Sequence, residues 1–154
     1  MNILKRLHHR PPYLMIHEVI EHSPKSLSAL GLPRGEEFYL LGHFPGTPVV
    51  PGAIMQEMTT QAAGLLITEH HSPVPDYDSD KTKGWALGVL RAVHAAKYKS
   101  FARPGDKMLI KVELLDQLES VFRFKGKITV NTKVIMHNEF SLVNIEEAKL
   151  KGLA

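Results

Sequence analysis

The chain has 154 residues, 44% of them apolar and 23% charged, with a net charge of +3 and no cysteine. That length suits one domain with a buried core, and its basic residues are too dispersed for a nucleic-acid interface. No apolar run approaches the roughly 20 residues that span a bilayer, the absence of cysteine rules out a disulfide framework or thiolate metal site, and a cytoplasmic protein is expected. The opening MNILKRLHHRPP is too poor in apolar residues for a signal peptide. Residues 3–10 read as a short helix stopped by Pro11-Pro12, residues 13–20 as a strand interrupted by His17 and Glu18, and residues 26–32 as a second strand ending at Pro33-Arg34-Gly35.

Residues 42–64, GHFPGTPVVPGAIMQEMTTQAAG, divide into two parts of different character. Pro45, Pro48 and Pro51 alternate with Gly42, Gly46 and Gly52, which describes a stiff, sharply turned loop. From Ala53 to about Thr68 the apolar residues Ile54, Met55, Met58, Ala62, Leu65 and Leu66 recur at helical spacing. Ala63 and Ile67 fall on the other side, so the helix is apolar nearly all round, as a buried one is. His43 on the loop and Glu57 on the helix are, with Tyr39, the only titratable side chains from Phe38 to Thr68. Burial raises a carboxyl pKa, and a histidine with such a carboxyl makes an acid–base pair suited to neutral pH. Spacing alone does not show that the two meet.

Residues 69–84, EHHSPVPDYDSDKTKG, lack periodicity and read as a long flexible loop. His70 and His71 have no further ligands nearby in sequence, so no metal is expected. Strands are expected over 85–94 and 96–101, then a turn at Arg103-Pro104-Gly105-Asp106. Met108, Ile110, Val112 and Leu114 alternate with polar neighbours, as do Phe122, Phe124, Gly126, Ile128 and Val130. Asn131-Thr132 marks a hairpin leading to Val134, Met136, Phe140 and Leu142, and residues 146–154 read as a frayed tail. One buried helix with five to seven antiparallel strands gives an α+β fold, the sheet wrapped round the helix in a single domain.

The 42–64 stretch closely resembles the active-site segment of the FabA/FabZ-type β-hydroxyacyl-acyl-carrier-protein dehydratases. Their GHFPG loop, second Pro-Gly, helical carboxylate and Gln four residues later stand here as residues 42–46, Pro51-Gly52, Glu57 and Gln61. Glu rather than Asp points to the FabZ branch over the isomerising FabA branch. The family's Leu-x-x-x-His-Arg-x-Pro opening is matched by Leu4, Arg10 and Pro12 with His9 alongside; RPGD, FKGK and the Glu139-Phe140 pair also resemble FabZ segments. The likeness spans roughly residues 4–143. Two features depart from it: His17 stands where the family commonly has Asp, and a Lys-Asn-Val-Thr-like run is missing.

The resemblance implies the hot-dog fold, an obligate homodimer extended in the family to hexamers, and active sites that take histidine from one subunit and carboxylate from the other. It implies dehydration of a (3R)-hydroxyacyl chain on acyl carrier protein to the trans-2-enoyl product, without a cofactor. By motif position His43 would take the α-proton and Glu57 would protonate or hold the departing hydroxyl. The Gly52 amide, at a helix N-terminus, would polarise the thioester carbonyl, and Gln61, one turn on, would orient Glu57. Lys97, Lys99 and Arg103 would form a basic docking patch for the acidic carrier protein. A hot-dog thioesterase and a non-catalytic acyl or carrier-protein binding module are the alternatives; the GHFPG histidine argues against the first and retention of both His43 and Glu57 against the second.

Overall fold

A computed structural model describes residues 1–152. Its elements run α1 (Ile3–Arg6), β1 (Glu18–His22), β2 (Ser26–Gly31), α2 (Gly52–His70), β3 (Trp85–Tyr98), β4 (Met108–Leu118), β5 (Val121–Val130), β6 (Lys133–Glu146) and α3 (Glu147–Leu150). The six strands form one sheet in the order β1-β2-β4-β5-β6-β3, antiparallel at every step. The sheet wraps round α2, which packs against β2 to β6, and this is the expected α+β arrangement. No helix is long and apolar enough to cross a membrane among the described residues.

The apolar alternation seen in β4, β5 and β6 aims one face at α2. Met108, Ile110, Val112, Phe122, Phe124, Ile128, Met136, Phe140 and Leu142 are all buried there. Phe124 and Phe140 are register partners whose rings stack with centroids 5.9 Å apart. Burying each such side chain contributes about 1.5–3 kcal/mol, so this face dominates the stability of the fold. On α2, 13 of 19 residues are buried, which is why no polar stripe interrupts its sequence. Two of the polar side chains it buries, Gln56 and Thr59, are paired across to the sheet. Asn138 Nδ2 donates to Gln56 Oε1 and Thr59 Oγ1, both at 2.8 Å.

Two close approaches set the helix on the sheet. A Cβ at Gly126 would lie 2.4 Å from Asn138 Oδ1 and 3.1 Å from Thr59 Cγ2, so the missing side chain makes room for that polar cluster. A Cβ at Gly88 would lie 3.0 Å from the Gly64 backbone, and Gly88 has φ +72°, a conformation open to glycine at little cost. Here α2 lies directly on β3.

The ends of several elements differ from expectation, each for a local reason. The first helix is a single turn, after which Arg10 Nη1 donates to the Leu7 and His9 carbonyls. The strand expected over 13–20 begins only at Glu18, because the Tyr13 carbonyl and the Met15 N–H bond to the Gln61 side chain instead of a ladder. The two strands expected over 85–101 are one strand, β3, carried through three register shifts against β6. Helix α2 includes Glu69 and His70, so the connection starts at His71. That connection lies along the N-terminal segment: Tyr77 is buried, Ser79 Oγ donates to the Leu4 carbonyl at 2.6 Å, and Arg10 pairs with Asp80 at 2.7 Å. The hairpin at Asn131-Thr132 has both residues at positive φ, 47° and 70°, as a tight two-residue turn requires. Of the tail expected over 146–154, Glu146 ends β6, Glu147–Leu150 form a turn of helix, and residues 153–154 lie outside the described residues.

Candidate active site

His43 stands on the proline- and glycine-rich loop, held by its own backbone. Its N–H donates to the Leu40 carbonyl at 3.2 Å, and its carbonyl accepts from Val49 N at 3.0 Å. The ring Nδ1 lies 3.1 Å from the Val49 carbonyl. A carbonyl can only accept, so in the neutral ring Nδ1 carries the hydrogen and Nε2 keeps its lone pair. Phe44 stacks on the imidazole at 4.2 Å between centroids. The local chain therefore presents an imidazole whose free lone pair is on Nε2.

His43 lines a cleft of about 350 Å³ with Val49, Gly52, Met55, Tyr98, Lys99 and Phe101. Gly52 is the first residue of α2, so its N–H has no acceptor within the helix. A Cβ there would meet the Tyr98 ring at 3.1 Å, so a larger residue would displace Tyr98 from the cleft. Lys97, Lys99 and Arg103 are all exposed, with Lys99 on the cleft and the Arg103 guanidinium 5.9 Å over the Phe101 ring.

Glu57 lies elsewhere. It lines a second cleft, of about 430 Å³, with His9, Tyr13, Thr60 and residues 85–90 of β3. Burial pushes its carboxyl above the usual glutamate range, and a hydrogen bond from Gln61 acts in the opposite direction without cancelling it. Gln61 is fully buried and engaged at both amide atoms: Nε2 donates to Glu57 Oε1 at 2.9 Å and to the Tyr13 carbonyl at 2.8 Å, while Oε1 accepts from Met15 N at 2.9 Å. It touches Glu57 rather than standing free for a ligand, so its geometry is that of an orienting group. Neither cleft of a single chain contains both His43 and Glu57.

The structure adds a residue to this neighbourhood that the motif did not single out. His9 Nε2 approaches Glu57 Oε1 to 3.5 Å, with the ring stacked on Tyr13. His9 was visible only as part of the opening His-Arg-x-Pro, and no local spacing foretells that this segment folds against the middle of α2.

A raised carboxyl pKa is also a statement about stability. In the folded protein Glu57 holds its proton to higher pH than in the unfolded chain, so its contribution is fully present below the unfolded pKa of about 4.3 and is lost as pH rises through the folded value. Glu57→Gln removes that loss. The variant is expected to melt above the parent protein at pH 8, and the difference should shrink as pH falls below the ordinary glutamate range. Thermal scans of both proteins across that window test it; a difference in melting temperature that does not change with pH would show that Glu57 is not held protonated by burial.

Comparison with known proteins places this chain in a family. The profile of the FabA-like domain matches residues 7–139. A 3-hydroxyacyl-[acyl-carrier-protein] dehydratase FabZ of Anaeromyxobacter sp. (strain K) is 36% identical over 142 residues, covering 91% of this chain and 86% of that protein. The FabZ of Petrotoga mobilis is 30% identical over 146 residues, covering 95% and 96% respectively. Among solved structures, the dehydratase heterocomplex ApeI:P from Xenorhabdus doucetiae superposes with a TM-score of 0.76 at 18% identity, over 99% of this chain and 97% of that one. A Streptococcus mutans protein bound to acetyl CoA gives 0.65 at 12% identity, over 91% and 96%. These structural likenesses establish the hot-dog fold, and the sequence matches go further: the chain belongs to the FabA-like dehydratase family.

Proposed function

We propose that the protein dehydrates a (3R)-hydroxyacyl chain carried on acyl carrier protein to the trans-2-enoyl chain, in a site built from two copies of this chain. The observation that carries the two-copy reading is the position of β3. It is an edge strand of 14 residues paired on one side only, with residues 93–98 exposed. A long unpaired edge is a template for pairing. The Glu57 cleft lies at its beginning, along residues 85–90, and the His43 cleft at its end, beside Tyr98. When two copies of a strand pair antiparallel about a twofold axis, the start of one lies by the end of the other. Such a dimer would bring the Glu57 cleft of each copy toward the His43 cleft of its partner. Exposed Leu41 and Phe44, at 71% and 57%, leave apolar surface for further assembly. A cytoplasmic location, where a carrier-borne biosynthetic substrate would be met, is part of this reading.

In this site His43 Nε2 removes the α-proton, and the electron pair of that C–H bond moves toward the thioester carbonyl, whose oxygen is met by the Gly52 N–H. As the pair returns to form the α–β double bond, the β C–O bond breaks and the departing oxygen takes the Glu57 proton. Water leaves, with Glu57 ionised and His43 protonated; transfer of one proton between them restores the resting site. No cofactor enters this balance. Incubation with a 3-hydroxyacyl carrier-protein thioester tests the proposal: enoyl product supports it, free thiol would indicate a thioesterase, and neither would indicate a binding module.

Lys99 on the His43 cleft, with exposed Lys97 two residues before it and Arg103 over the Phe101 ring, suits an acidic carrier protein. Each exposed pair contributes only about 0.2–1 kcal/mol, so the test replaces Lys97, Lys99 and Arg103 together by Glu. KM for the carrier-borne substrate is expected to rise while turnover of a small thioester is unchanged, and added salt should weaken docking of the parent protein. Equal losses on both substrates would make the patch structural, and unchanged kinetics on both would move the docking surface elsewhere.

A further inference from the structure

The Glu57 cleft holds a titratable group that the reaction above does not use. His9 Nε2 lies 3.5 Å from Glu57 Oε1, the same oxygen that accepts from Gln61 at 2.9 Å. Both amide hydrogens of Gln61 are committed and its oxygen is occupied by Met15 N–H. The Gln61 atom that faces Glu57 is the donor-only Nε2, so Glu57 Oε1 is held as an acceptor. The acidic proton is left to Oε2.

His9 is itself constrained. Its Nδ1 is buried and has no hydrogen-bond partner in the described residues. A buried N–H without an acceptor is rarer and costlier than an unfilled lone pair, so the hydrogen of the neutral ring belongs on Nε2, facing Glu57. A second proton would put an unsatisfied N–H at the buried nitrogen. Burial first, then His8 and Arg10, hold the imidazole below the ordinary histidine range. The groups around it are His8 and Arg10 on its own segment, Tyr13 stacked on its face, Glu57 and Gln61 on α2, and Glu147 across the cleft.

Resting on the proposed reaction, we infer that His9 is a positioning residue for the catalytic acid: a neutral imidazole whose Nε2–H closes on Glu57 Oε1 as that carboxyl gives up its proton from Oε2. At 3.5 Å the contact is longer than a formed hydrogen bond. It strengthens as charge develops on the carboxylate, so it favours the transition state over the resting state. A permanently charged group at the same place would strip Glu57 of its proton beforehand. A neutral donor leaves the acid loaded and eases its release.

The test compares His9→Phe, which keeps a ring against Tyr13 without a donor, with His9→Gln, which keeps an N–H at similar reach. His9→Phe is expected to lower kcat about tenfold with little change in KM and to move the alkaline limb of the kcat profile upward. His9→Gln should recover most of both. Equal losses in the two variants, or an effect on KM alone, would reduce His9 to packing and overturn the inference, as would parental kinetics in both. Two readouts do not depend on turnover. Nitrogen-15 spectra of the free protein at pH 7 should show His9 neutral with hydrogen on Nε2, and a carbon-13 titration should show the Glu57 pKa rising in His9→Phe. A charged His9, the Nδ1–H tautomer or an unmoved Glu57 titration would sink it. A parent protein that forms no enoyl product but passes both spectral tests would instead count against the proposed reaction.

Discussion

Replacing His43 by Ala, or Glu57 by Gln, is expected to slow enoyl formation at least about a hundredfold in each case, the low end for a general acid or base. For His43 the reason is that only Nε2 is available. Nδ1 is engaged with the Val49 carbonyl, so the ring has one lone pair to offer and alanine removes it. For Glu57 the replacement is nearly isosteric, and Gln61 can still donate to the amide oxygen. What glutamine lacks is a proton acidic enough to release to a departing hydroxyl. Neither change should cost the fold. His43 is partly exposed on a loop held by backbone bonds, and burial already disfavours the Glu57 charge. The measurement is the rate of enoyl product from purified, folded variants on the carrier-borne substrate. Near-parental turnover in either would remove that residue from the chemistry.

What was legible in the sequence is what depends on near neighbours in the chain. The alternation of Pro45, Pro48 and Pro51 with glycines marks a rigid loop, and the all-round apolar run after it marks a buried helix; α2 is found within two residues of both expected ends. Asn131-Thr132 reads as a hairpin because its positive φ angles are a local property. The N-terminal third was less legible because distant partners decide its structure. Tyr13 and Met15 lie in an apolar, strand-like run, yet their backbone groups are taken by Gln61, so pairing starts only at Glu18. The break expected near residue 95 of β3 is absent because the strand absorbs its irregularities as register shifts against β6. Likewise no spacing rule joins His9 to Glu57. Their contact exists because the segment around Pro11-Pro12 is laid across α2 and held by the Arg10 bonds to Ser79 and Asp80.

The separation of His43 and Glu57 within one chain leads to the second large effect. His43→Ala and Glu57→Gln proteins, each nearly inactive alone, are expected to regain activity when mixed under conditions that exchange subunits. In a mixed dimer one site collects both lesions, the His43→Ala change from one copy and the Glu57→Gln change from the other, and is dead. The second site combines the intact His43 of one copy with the intact Glu57 of its partner and works. Random exchange of equal amounts makes about half the dimers mixed, with one working site of two, so about a quarter of parental activity should return. A site contained in one chain predicts the opposite, since every chain in the mixture carries a lesion. The exchange must be verified independently, by mass-tagging one variant and counting mixed dimers. Charged substitutions among the exposed residues 93–96 of β3 supply the control: if that edge forms the interface, they should abolish both dimerisation and the recovery. Verified mixed dimers without recovered activity would show that the acid and the base do not meet across the subunits, and that the site must close within a chain by a rearrangement bringing the two clefts together.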